Sequence, residues 1–440
     1  MNERVDLVVL GATGFTGRYV VKHLASINNE TDYSDLTWGI AGRSKEKLNN
    51  LLVDLVDKGV NVKNIPVIEC DIANEAMVYE VCRRTKVVVN STGPYTTLSE
   101  LVIKTCIQTK THYVDISAEL HQMLSIYRGY NKAAEAANVL IIAACGYGSI
   151  PGVMGFVHLQ KHFKGTLQTV ECYTEIEMPK RVYSLGNILC GGDNCLVHFG
   201  TWDSLVHELG NFPQYFRMKQ EIFPDAIYGP EPDDIKKSFF HRKNANIWFP
   251  YPGPDSNIID MTQRYLYEKE GIQPVHFKMY TTMPLLIHLF LIIPIFYCYY
   301  WLSYFKCFRT MLRRYPRFFT AGFMSHEGPS EENMHDTKYS FILSGNARVN
   351  KKNKTKHLKV FGTHPYEATA IAFTISAITI LRDYSYMPKG GVLTTGAAYY
   401  QTKLIDRLNN HGINFEFISD DGEEIMTESK RMKSQIESMT

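Results

Sequence analysis

Three glycines near the start of the chain have the spacing of a loop that binds the phosphates of a dinucleotide. Gly11, Gly14 and Gly17 follow a run of strand-forming residues, VDLVVL, and lead into a segment with the apolar spacing of a helix. A glycine at such a turn lets the backbone reverse, the next lets it approach a pyrophosphate, and the last lets the helix pack closely on the strand. Unpaired N–H groups at the helix start attract the ligand's negative charge. We expect a dinucleotide in this loop, with Thr13 and Phe15 among its contacts; an ordinary glycine turn is the alternative.

The residues that end the second predicted strand indicate which dinucleotide is bound. Sites that prefer NAD usually carry Asp or Glu there, but this chain has Arg43, Ser44 and Lys45. An arginine fork and a serine hydroxyl suit the 2′-phosphate of NADP. We therefore expect NADP rather than NAD. The alternative is that Ser44 only caps the next helix and Arg43 is a solvated surface charge.

Polar residues at two further strand ends are expected to face the same ligand, because doubly wound sheets bind at the carboxyl ends of their strands. Asp71 follows PVIEC and is predicted to accept a hydrogen bond from the adenine amine, with capping of the next helix as the alternative. The residues after KVVVN form a loop suited to pass beneath the nicotinamide ribose. They are Ser91, Thr92, Gly93 and Pro94.

Two side chains near these strand ends are candidates for proton transfer and substrate positioning. Tyr95 follows the loop after the fourth strand, and Asp115 stands just past the fifth, with a second carboxylate at Glu119. Such carboxylates do acid–base work when burial or pairing shifts their pKa values. Capping of the following helix explains Asp115 equally well.

Composition and charge fit a globular protein of two or three domains. The 440 residues carry a formal net charge of +2, so nothing demands a nucleic-acid partner. The nine cysteines include no CxxC pair and no histidine spacing typical of zinc, so we expect no metal and a reducing compartment. The opening residues, MNERVDL, lack the apolar core of a secretory signal, so secretion is not expected.

The candidate site residues must be positioned by strands and helices. The sequence predicts these elements as short apolar runs separated by helical patterns. The runs are 5–10, 36–41, 66–70, 86–90, 112–114 and 139–143. Their near-continuous apolar character predicts a parallel, doubly wound sheet that is buried on both faces.

Beyond residue 150 the pattern changes to that of an α+β domain. Residues 169–177 alternate like a half-buried strand, and a turn at Phe199 leads into a helix. Residues 211–254 are predicted to be an irregular connection, and the lysine-rich stretch 351–356 a solvated loop between strands. The predicted division is a dinucleotide-binding domain (1–150), a second domain in two parts (151–282 and 319–418), a lipid-anchoring segment between them (283–318) and a polar tail (419–440).

A long apolar run, residues 283–305, predicts contact with lipid. It contains no Asp, Glu, Lys or Arg and is followed by basic residues from Lys306 to Arg317. A helix of this length can cross a bilayer, with aromatic residues at one interface and basic residues at anionic headgroups. Because a single span would separate the two parts of the second domain, we favour a re-entrant or hairpin insertion broken at Pro284 and Pro294. A buried core helix or an oligomer-interface helix is the alternative.

Several motifs along the chain resemble those of the saccharopine dehydrogenase-like oxidoreductase family. They are, in order, GATGFTG, AGRSKEKL, CDIA, NSTGPY, HYVDISAE, GYGSIPG, QRYLYE, GGVLTTGAAY and TKLIDRLNNHGI. The resemblance covers nearly the whole chain. It implies a Rossmann-type α/β domain followed by a second α+β domain, an oxidoreductase, association with membranes or lipid droplets, and a link to glycolipid metabolism through bacterial enoyl reductases. It also implies that Asn194, His198 and Thr201 lie near the cleft as substrate-side candidates, with capping and surface roles as the alternative.

The chain departs from the family pattern at the reaction end. Leu98 stands within an element that typically reads Tyr-Gly-Glu-Pro, and Ala118 takes a glycine position. Gly148 and Val153 replace two aspartates of the element Gly-Phe-Asp-Ser-x-Pro-x-Asp. The cofactor end therefore matches better than the reaction end.

These patterns together predict an NADP-dependent oxidoreductase held at a lipid droplet or at the cytoplasmic face of a membrane. The expected substrate is a lipid-like carbonyl, imine or activated alkene. A non-catalytic dinucleotide-binding scaffold on lipid droplets and a soluble amino-acid-type dehydrogenase are the alternatives, and a homo-oligomer stays open.

Overall fold

A computed structural model gives the architecture of residues 4–419. It describes this range except for residues 61, 63, 185–186, 188–191, 228, 230–238, 244–245, 283–293, 296 and 350–351. The described strands form two seven-stranded sheets and one two-stranded pair, with helices packed around them. The predicted combination of a parallel α/β domain with a second domain is confirmed.

The N-terminal part of the chain alternates strand and helix. Its elements are β1 (Val5–Leu10), α1 (Phe15–Ile27), β2 (Trp38–Gly42), α2 (Lys45–Asp57), β3 (Val67–Glu69), α3 (Glu75–Arg83), β4 (Thr85–Asn90), α4 (Tyr95–Thr109), β5 (His112–Asp115), α5 (Leu120–Ala137) and β6 (Leu140–Ile142). Neighbouring strands run parallel in the order β3-β2-β1-β4-β5-β6. The order reverses between β1 and β4, where doubly wound folds open a ligand crevice.

Burial on both faces explains the apolar character of these strands. Val87 and Val89 of β4 enter one hydrophobic core, and Val88 enters another on the opposite face of the sheet. All three are fully buried. The middle of a strand that is covered on both sides therefore carries apolar side chains, as is typical of parallel sheets.

The middle of the chain supplies much of the second sheet. After a π-helical turn (Ile150–Met154) come α6 (Gly155–His162), β7 (Thr169–Glu177), α7 (Lys180–Tyr183), β8 (Val197–His198), α8 (Phe199–Ile222), β9 (His241–Lys243), β10 (Asn246–Pro250), α9 (Asp255–Glu270) and β11 (His276–Thr282). The predicted irregular connection over residues 211–254 is wrong in part. α8 continues through Pro213, and β9 and β10 form an antiparallel pair within that range.

The remaining helices and strands follow β11, and the strands belong to all three sheets. They are α10 (Lys306–Arg314), α11 (Pro316–Phe319), β12 (Met324–Ser325), α12 (Glu331–His335), β13 (Lys338–Val349), β14 (Lys352–Gly362), α13 (Pro365–Asp383), β15 (Gly391–Leu393), α14 (Thr395–Ala398), α15 (Leu404–Asn410) and β16 (Asn414–Ile418). The second sheet has the order β16-β14-β13-β7-β11-β10-β9. β15 pairs with β6 and completes the first sheet, so residues 319–418 contribute to both domains.

The lysine-rich stretch belongs largely to a strand rather than to a loop. β14 begins at Lys352 and pairs with β13. Lys354 and Lys356 donate to the backbone carbonyls of Lys164 and His162, at 3.2 and 2.9 Å. The predicted solvated loop is therefore wrong for these lysines, whose ammonium groups bind the end of α6 and the chain after it.

The predicted lipid-contacting run lies only partly within the described residues. Residues 283–293 and 296 are outside them, whereas residues 297–302 are helical and α10 follows. Among the helices that the structure describes, none has both the length and the apolar character needed to cross a membrane.

Candidate functional site

The glycine loop between β1 and α1 has a backbone shape that few other residues would permit. Gly11 has φ +84°, a conformation that L side chains rarely adopt. A Cβ atom at Gly17 would lie 2.2 Å from Gly11 O, so only glycine lets α1 pack this closely on the loop. The N–H groups of Gly11 and Ala12 donate to Ala41 O at 2.9 and 3.2 Å, which joins the loop to β2.

The start of α1 is open to an anion. The N-cap is Gly14, which is exposed, and no side chain within the described residues caps this helix. Amides of an uncapped first turn carry unsatisfied N–H groups, and the helix dipole adds positive potential there. The loop therefore fits the pyrophosphate of a dinucleotide.

The loop after β4 packs directly against the glycine loop. Ser91 Oγ donates to Leu10 O at 2.9 Å and to Gly11 O at 3.2 Å. A Cβ atom at Gly11 would meet Thr92 Oγ1 at 2.5 Å, so the two loops leave no space for a side chain between them. Gly93 is exposed and is joined to Pro94 by a cis peptide bond. The structure thus brings the two predicted cofactor loops together at the strand ends.

The end of β2 also adjoins the glycine loop. A Cβ atom at Gly42 would lie 3.8 Å from Thr13 Oγ1. Arg43 is exposed, and its guanidinium has no hydrogen bond or ion pair with any residue in the described ranges. Ser44 Oγ accepts from Lys47 N at 3.3 Å and so caps α2, while its contact with a 2′-phosphate stays a prediction.

Asp71 lies on the surface at the end of β3. Its Oδ1 accepts from Ala73 N at 3.0 Å, which closes a short turn. α3 begins only at Glu75, and its N-cap is Asn74, whose side chain accepts from the N–H groups of the first turn. Capping by Asp71 is therefore wrong, and the contact of Asp71 with adenine stays a prediction.

Tyr95 is buried at the start of α4. Its hydroxyl donates to Asn90 O at 3.3 Å, and burial raises the pKa of this phenol well above its usual value. The Glu119 carboxylate accepts from Tyr95 N at 3.1 Å and from Thr96 N at 2.7 Å. Glu119 therefore caps α4, the helix before it in the chain, and not α5 after it.

Asp115 is a buried carboxylate that joins the ends of two strands. Tyr113 donates its hydroxyl hydrogen to Asp115 Oδ2 at 2.8 Å, and Ser117 N and Ala144 N donate to Oδ1 at 2.9 and 3.3 Å. Burial raises the pKa of Asp115 to about 7, although these hydrogen bonds favour the charged form. A carboxyl group with this pKa exists in both protonation states at neutral pH.

A small cavity lies beside Asp115. Its volume is about 50 Å³, which is room for a few water molecules. Its walls include Tyr113, Gln122 and Thr394 as polar groups and many apolar side chains. Glu268, whose side chain is 51% exposed, also lines it, so the cavity extends towards the surface.

Residues from the second part of the chain reach the glycine loop. The imidazole of His198 stacks on the Phe15 ring, and the ring of Tyr366 meets Phe15 edge-on. Thr201 shares a 3.0 Å hydrogen bond with the hydroxyl of Tyr366. Asn194 instead donates to Ala321 O at 2.7 Å. The sequence carries no local signal for Tyr366, because only the fold brings α13 beside α1.

The positions that depart from the family pattern differ in their surroundings. A Cβ atom at Gly148 would have no heavy atom within 4 Å, so a side chain is accommodated there. Val153 is fully buried, and its Cγ1 lies 2.8 Å from where a Cβ of Gly396 would stand. Ala118 is exposed and Leu98 is half-buried. An aspartate at position 148, as the family resemblance implies, would therefore fit without displacing a neighbour.

Known proteins resemble this chain along nearly its whole length. Residues 7–142 match the family model of the saccharopine dehydrogenase NADP binding domain, which confirms the predicted cofactor, NADP. A Homo sapiens protein named saccharopine dehydrogenase-like oxidoreductase is 32% identical over 431 residues, which cover 94% of this chain and 97% of that protein. A Caenorhabditis elegans protein named lipid droplet localized protein is 28% identical over 449 residues, covering 95% and 99%. Apo saccharopine dehydrogenase (L-Glu forming) from Saccharomyces cerevisiae has a similar fold, with a TM-score of 0.52 at 12% identity over 94% of this chain and 100% of that one.

Proposed function

Because the chain belongs to the saccharopine dehydrogenase-like oxidoreductase family, we propose that it reduces or oxidises a lipid-like substrate with NADP at a lipid-droplet or membrane surface. The observation that carries this proposal is the open start of α1 together with the guanidinium of Arg43 at the end of the neighbouring strand, neither of which has a side-chain partner among the described residues. When bound, NADP supplies the nicotinamide that transfers hydride, while the protein supplies binding and orientation.

The adenosine end of the cofactor is assigned to residues that follow β2 and β3. Arg43 can form a bidentate pair with a 2′-phosphate without breaking an existing bond. Ser44 accepts one hydrogen bond as a cap, which leaves its own O–H free to donate to the same phosphate. Asp71 uses one carboxylate oxygen in its turn and keeps the other for the adenine amine.

The pyrophosphate and nicotinamide ends are assigned to the two adjoining loops. The backbone N–H groups of the first turn of α1, from Phe15 to Gly17, face the pyrophosphate, because these amides have no hydrogen-bond partner among the described residues. The loop from Ser91 to Pro94 then passes beside the nicotinamide ribose. Its contact with Gly11 holds it there.

Asp115 and Tyr95 receive different roles in this proposal. Asp115 holds or releases a proton, since its pKa of about 7 and the adjoining cavity allow exchange with water. Tyr95 positions the β4 loop, because its hydroxyl is already bonded to Asn90 O and its pKa lies far above neutrality.

An exposed aromatic and basic surface supports the lipid contact. Trp301, Phe305 and Phe318 are 65%, 61% and 80% exposed, a costly arrangement for aromatic side chains in water. Basic residues of α10 and α11 lie in the same segment and suit anionic headgroups. Leu312 is buried with Trp202 and Val206 of α8, so this segment has a fixed attachment to the fold. The name of the Caenorhabditis elegans relative agrees with a droplet surface.

A role in glycolipid metabolism is part of the same proposal.

A non-catalytic scaffold that binds NADP is the second candidate. The empty place at Gly148 and the inward hydrogen bond of Tyr95 favour it, because both reduce the number of groups that could reach a substrate. It shares the cofactor site with the first proposal and differs in having no turnover.

Titration with NADPH and NADH tests the cofactor site. Arg43→Ala is expected to weaken NADPH binding about tenfold to a hundredfold, the range of one charge-assisted bidentate contact, and to leave NADH binding unchanged. Arg128→Ala, which removes an exposed arginine on α5, serves as the control. Equal binding of both nucleotides by the wild type and by Arg43→Ala would refute the assignment.

The proposed reduction of a lipid substrate is tested by the fluorescence of NADPH. Lipid aldehydes, ketones or enoyl thioesters are added, and loss of the nicotinamide fluorescence reports oxidation of NADPH. An enzyme oxidises NADPH in proportion to the carbonyl or alkene that it consumes. A protein that binds NADPH normally but consumes none with any of these lipids would support the scaffold.

A further inference from the structure

The ring of Phe15, the first residue of α1, is enclosed by three separate segments from the second part of the chain. The His198 ring stacks on it with centroids 4.4 Å apart and planes 12° apart. Tyr366 meets it edge-on, at 4.9 Å and 78°. A Cβ atom at Gly328 would lie 2.7 Å from the Phe15 ring, so the backbone there closes another side. Phe15, His198 and Tyr366 are called the aromatic clamp below.

Hydrogen bonds hold the members of the clamp to one another. His198 N donates to the Tyr366 hydroxyl at 2.7 Å, which fixes the start of α8 on the start of α13. Gly328 N donates to Ser325 Oγ at 3.0 Å, and Ser325 pairs with His198 in the two-stranded sheet. The three segments therefore meet Phe15 as one unit.

The clamp acts on a residue whose backbone belongs to the open turn. Phe15 directly follows Gly14, so its N–H is one of the unsatisfied donors at the start of α1. Fixing its ring fixes the φ and ψ angles that aim these donors. The three rings are only half-buried and lie outside the two main hydrophobic cores, so their chief effect is local.

We propose that the aromatic clamp holds the glycine loop in the shape that receives the pyrophosphate, with His198 and Tyr366 as positioning residues from the second part of the chain. Cofactor affinity is then set partly by residues that touch Phe15 and not the cofactor. This inference rests on the proposed place of the pyrophosphate on the loop.

His198 allows a sharp test because it has two separable roles. Its ring stacks on Phe15, and its Nδ1 accepts from Gly200 N at 3.0 Å and so caps α8. His198→Asn keeps a capping acceptor and removes the ring, whereas His198→Phe keeps a ring and removes the cap. A merely structural cap would make His198→Phe the more harmful change.

The variants are titrated with NADPH and with adenosine 2′-monophosphate, which has the 2′-phosphate but no pyrophosphate. We expect His198→Asn to weaken NADPH binding about two- to tenfold, the range of one aromatic pair, with adenosine 2′-monophosphate unaffected. His198→Phe should bind both like the wild type. If His198→Asn folds poorly, Tyr366→Leu is compared with Tyr366→Phe. Both variants lose the hydroxyl that accepts from His198 N, and only Tyr366→Leu loses the ring, so the clamp predicts weaker NADPH binding for Tyr366→Leu than for Tyr366→Phe.

Two results would overturn the clamp. One is unchanged NADPH affinity in the variants that lack a ring, and the other is an equal loss of both ligands, which would show general damage to the site. Failure of the wild type to bind NADPH would refute the proposed site itself, and with it the clamp.

Discussion

Ser204 of α8 donates a hydrogen bond to Glu119 Oε1 at 2.7 Å. The same buried carboxylate accepts from the N–H groups of Tyr95 and Thr96 and also from the Thr96 hydroxyl. Glu119 thus connects β5, the start of α4 and the second part of the chain. Because the loop from Ser91 to Pro94 runs directly into α4, this carboxylate helps to fix the position of the loop.

Replacing Glu119 by glutamine should destabilise the fold by about 1–2 kcal/mol, because one acceptor and the charge that caps α4 are lost inside the protein. Urea unfolding measures this. Ser204→Ala keeps both capping bonds and should cost less, so it is the matched control. Equal stability of Glu119→Gln and the wild type would show that water or another group caps α4.

Sequence patterns predicted the elements whose structure is determined by neighbouring residues in the chain. β1, the glycine loop and α1 could be read from Val5 onwards, because apolar runs and glycines report directly on strands and turns. By contrast, no pattern in α4 itself reveals that its first turn is capped by Glu119.

Long-range contacts account for the features that sequence patterns could not supply. α8 keeps Pro213 in its interior because it packs along α5, which compensates for the lost backbone bond. β15 joins the first sheet although it follows most of the second domain in the chain. At the site, Arg43 and the glycines could be named from the sequence, whereas the contact of Tyr366 with Phe15 depends on the packing of α13 against α1.

Gly17→Ala should weaken NADPH binding and lower stability. The added methyl would stand 2.2 Å from Gly11 O and 3.0 Å from Ala12, and these are backbone atoms that move only if the loop changes shape. We expect a loss of affinity of about tenfold or more, since the pyrophosphate turn itself is displaced. Titration with NADPH and urea unfolding measure the two effects.

Gly129→Ala is the control for that experiment. Gly129 is exposed on α5, and a Cβ atom there has no heavy atom within 4 Å. Alanine should stabilise this helix by up to about 1 kcal/mol and leave NADPH binding unchanged. Comparable binding losses in both variants would contradict the steric argument for Gly17.

Asp255 should make the protein less stable as the pH rises. Its side chain is fully buried at the start of α9, and neither carboxylate oxygen has a hydrogen-bond partner in the part of the chain that the structure describes. Burial raises its pKa from 3.8 to about 8. Between these pH values the folded protein keeps a proton that the unfolded chain releases, so stability falls with rising pH, by at most about 1.4 kcal/mol per pH unit.

Asp255→Asn stays neutral and should lose this part of the pH dependence. Urea unfolding at pH 5 and pH 7.5 should show a smaller drop for the variant than for the wild type. Asp54→Asn, at an exposed position on α2, should follow the wild type. Parallel curves for all three proteins would mean that the Asp255 carboxyl titrates normally in the fold.

Trp301 and Phe318 should contribute to lipid binding. Their side chains are 65% and 80% exposed, so replacing both by serine removes apolar area without opening the core. We expect the double variant to partition at least about tenfold more weakly than the wild type onto phospholipid-coated triacylglycerol droplets, because it lacks apolar area that the wild type buries in lipid. Tyr386→Ser removes an aromatic side chain of similar exposure (64%) far along the chain and should bind like the wild type.

Flotation measures the fraction of protein bound to the droplets. Higher salt should weaken wild-type binding if the arginines of α10 contact anionic headgroups. Equal flotation of the double variant and the wild type would exclude this surface as the lipid contact.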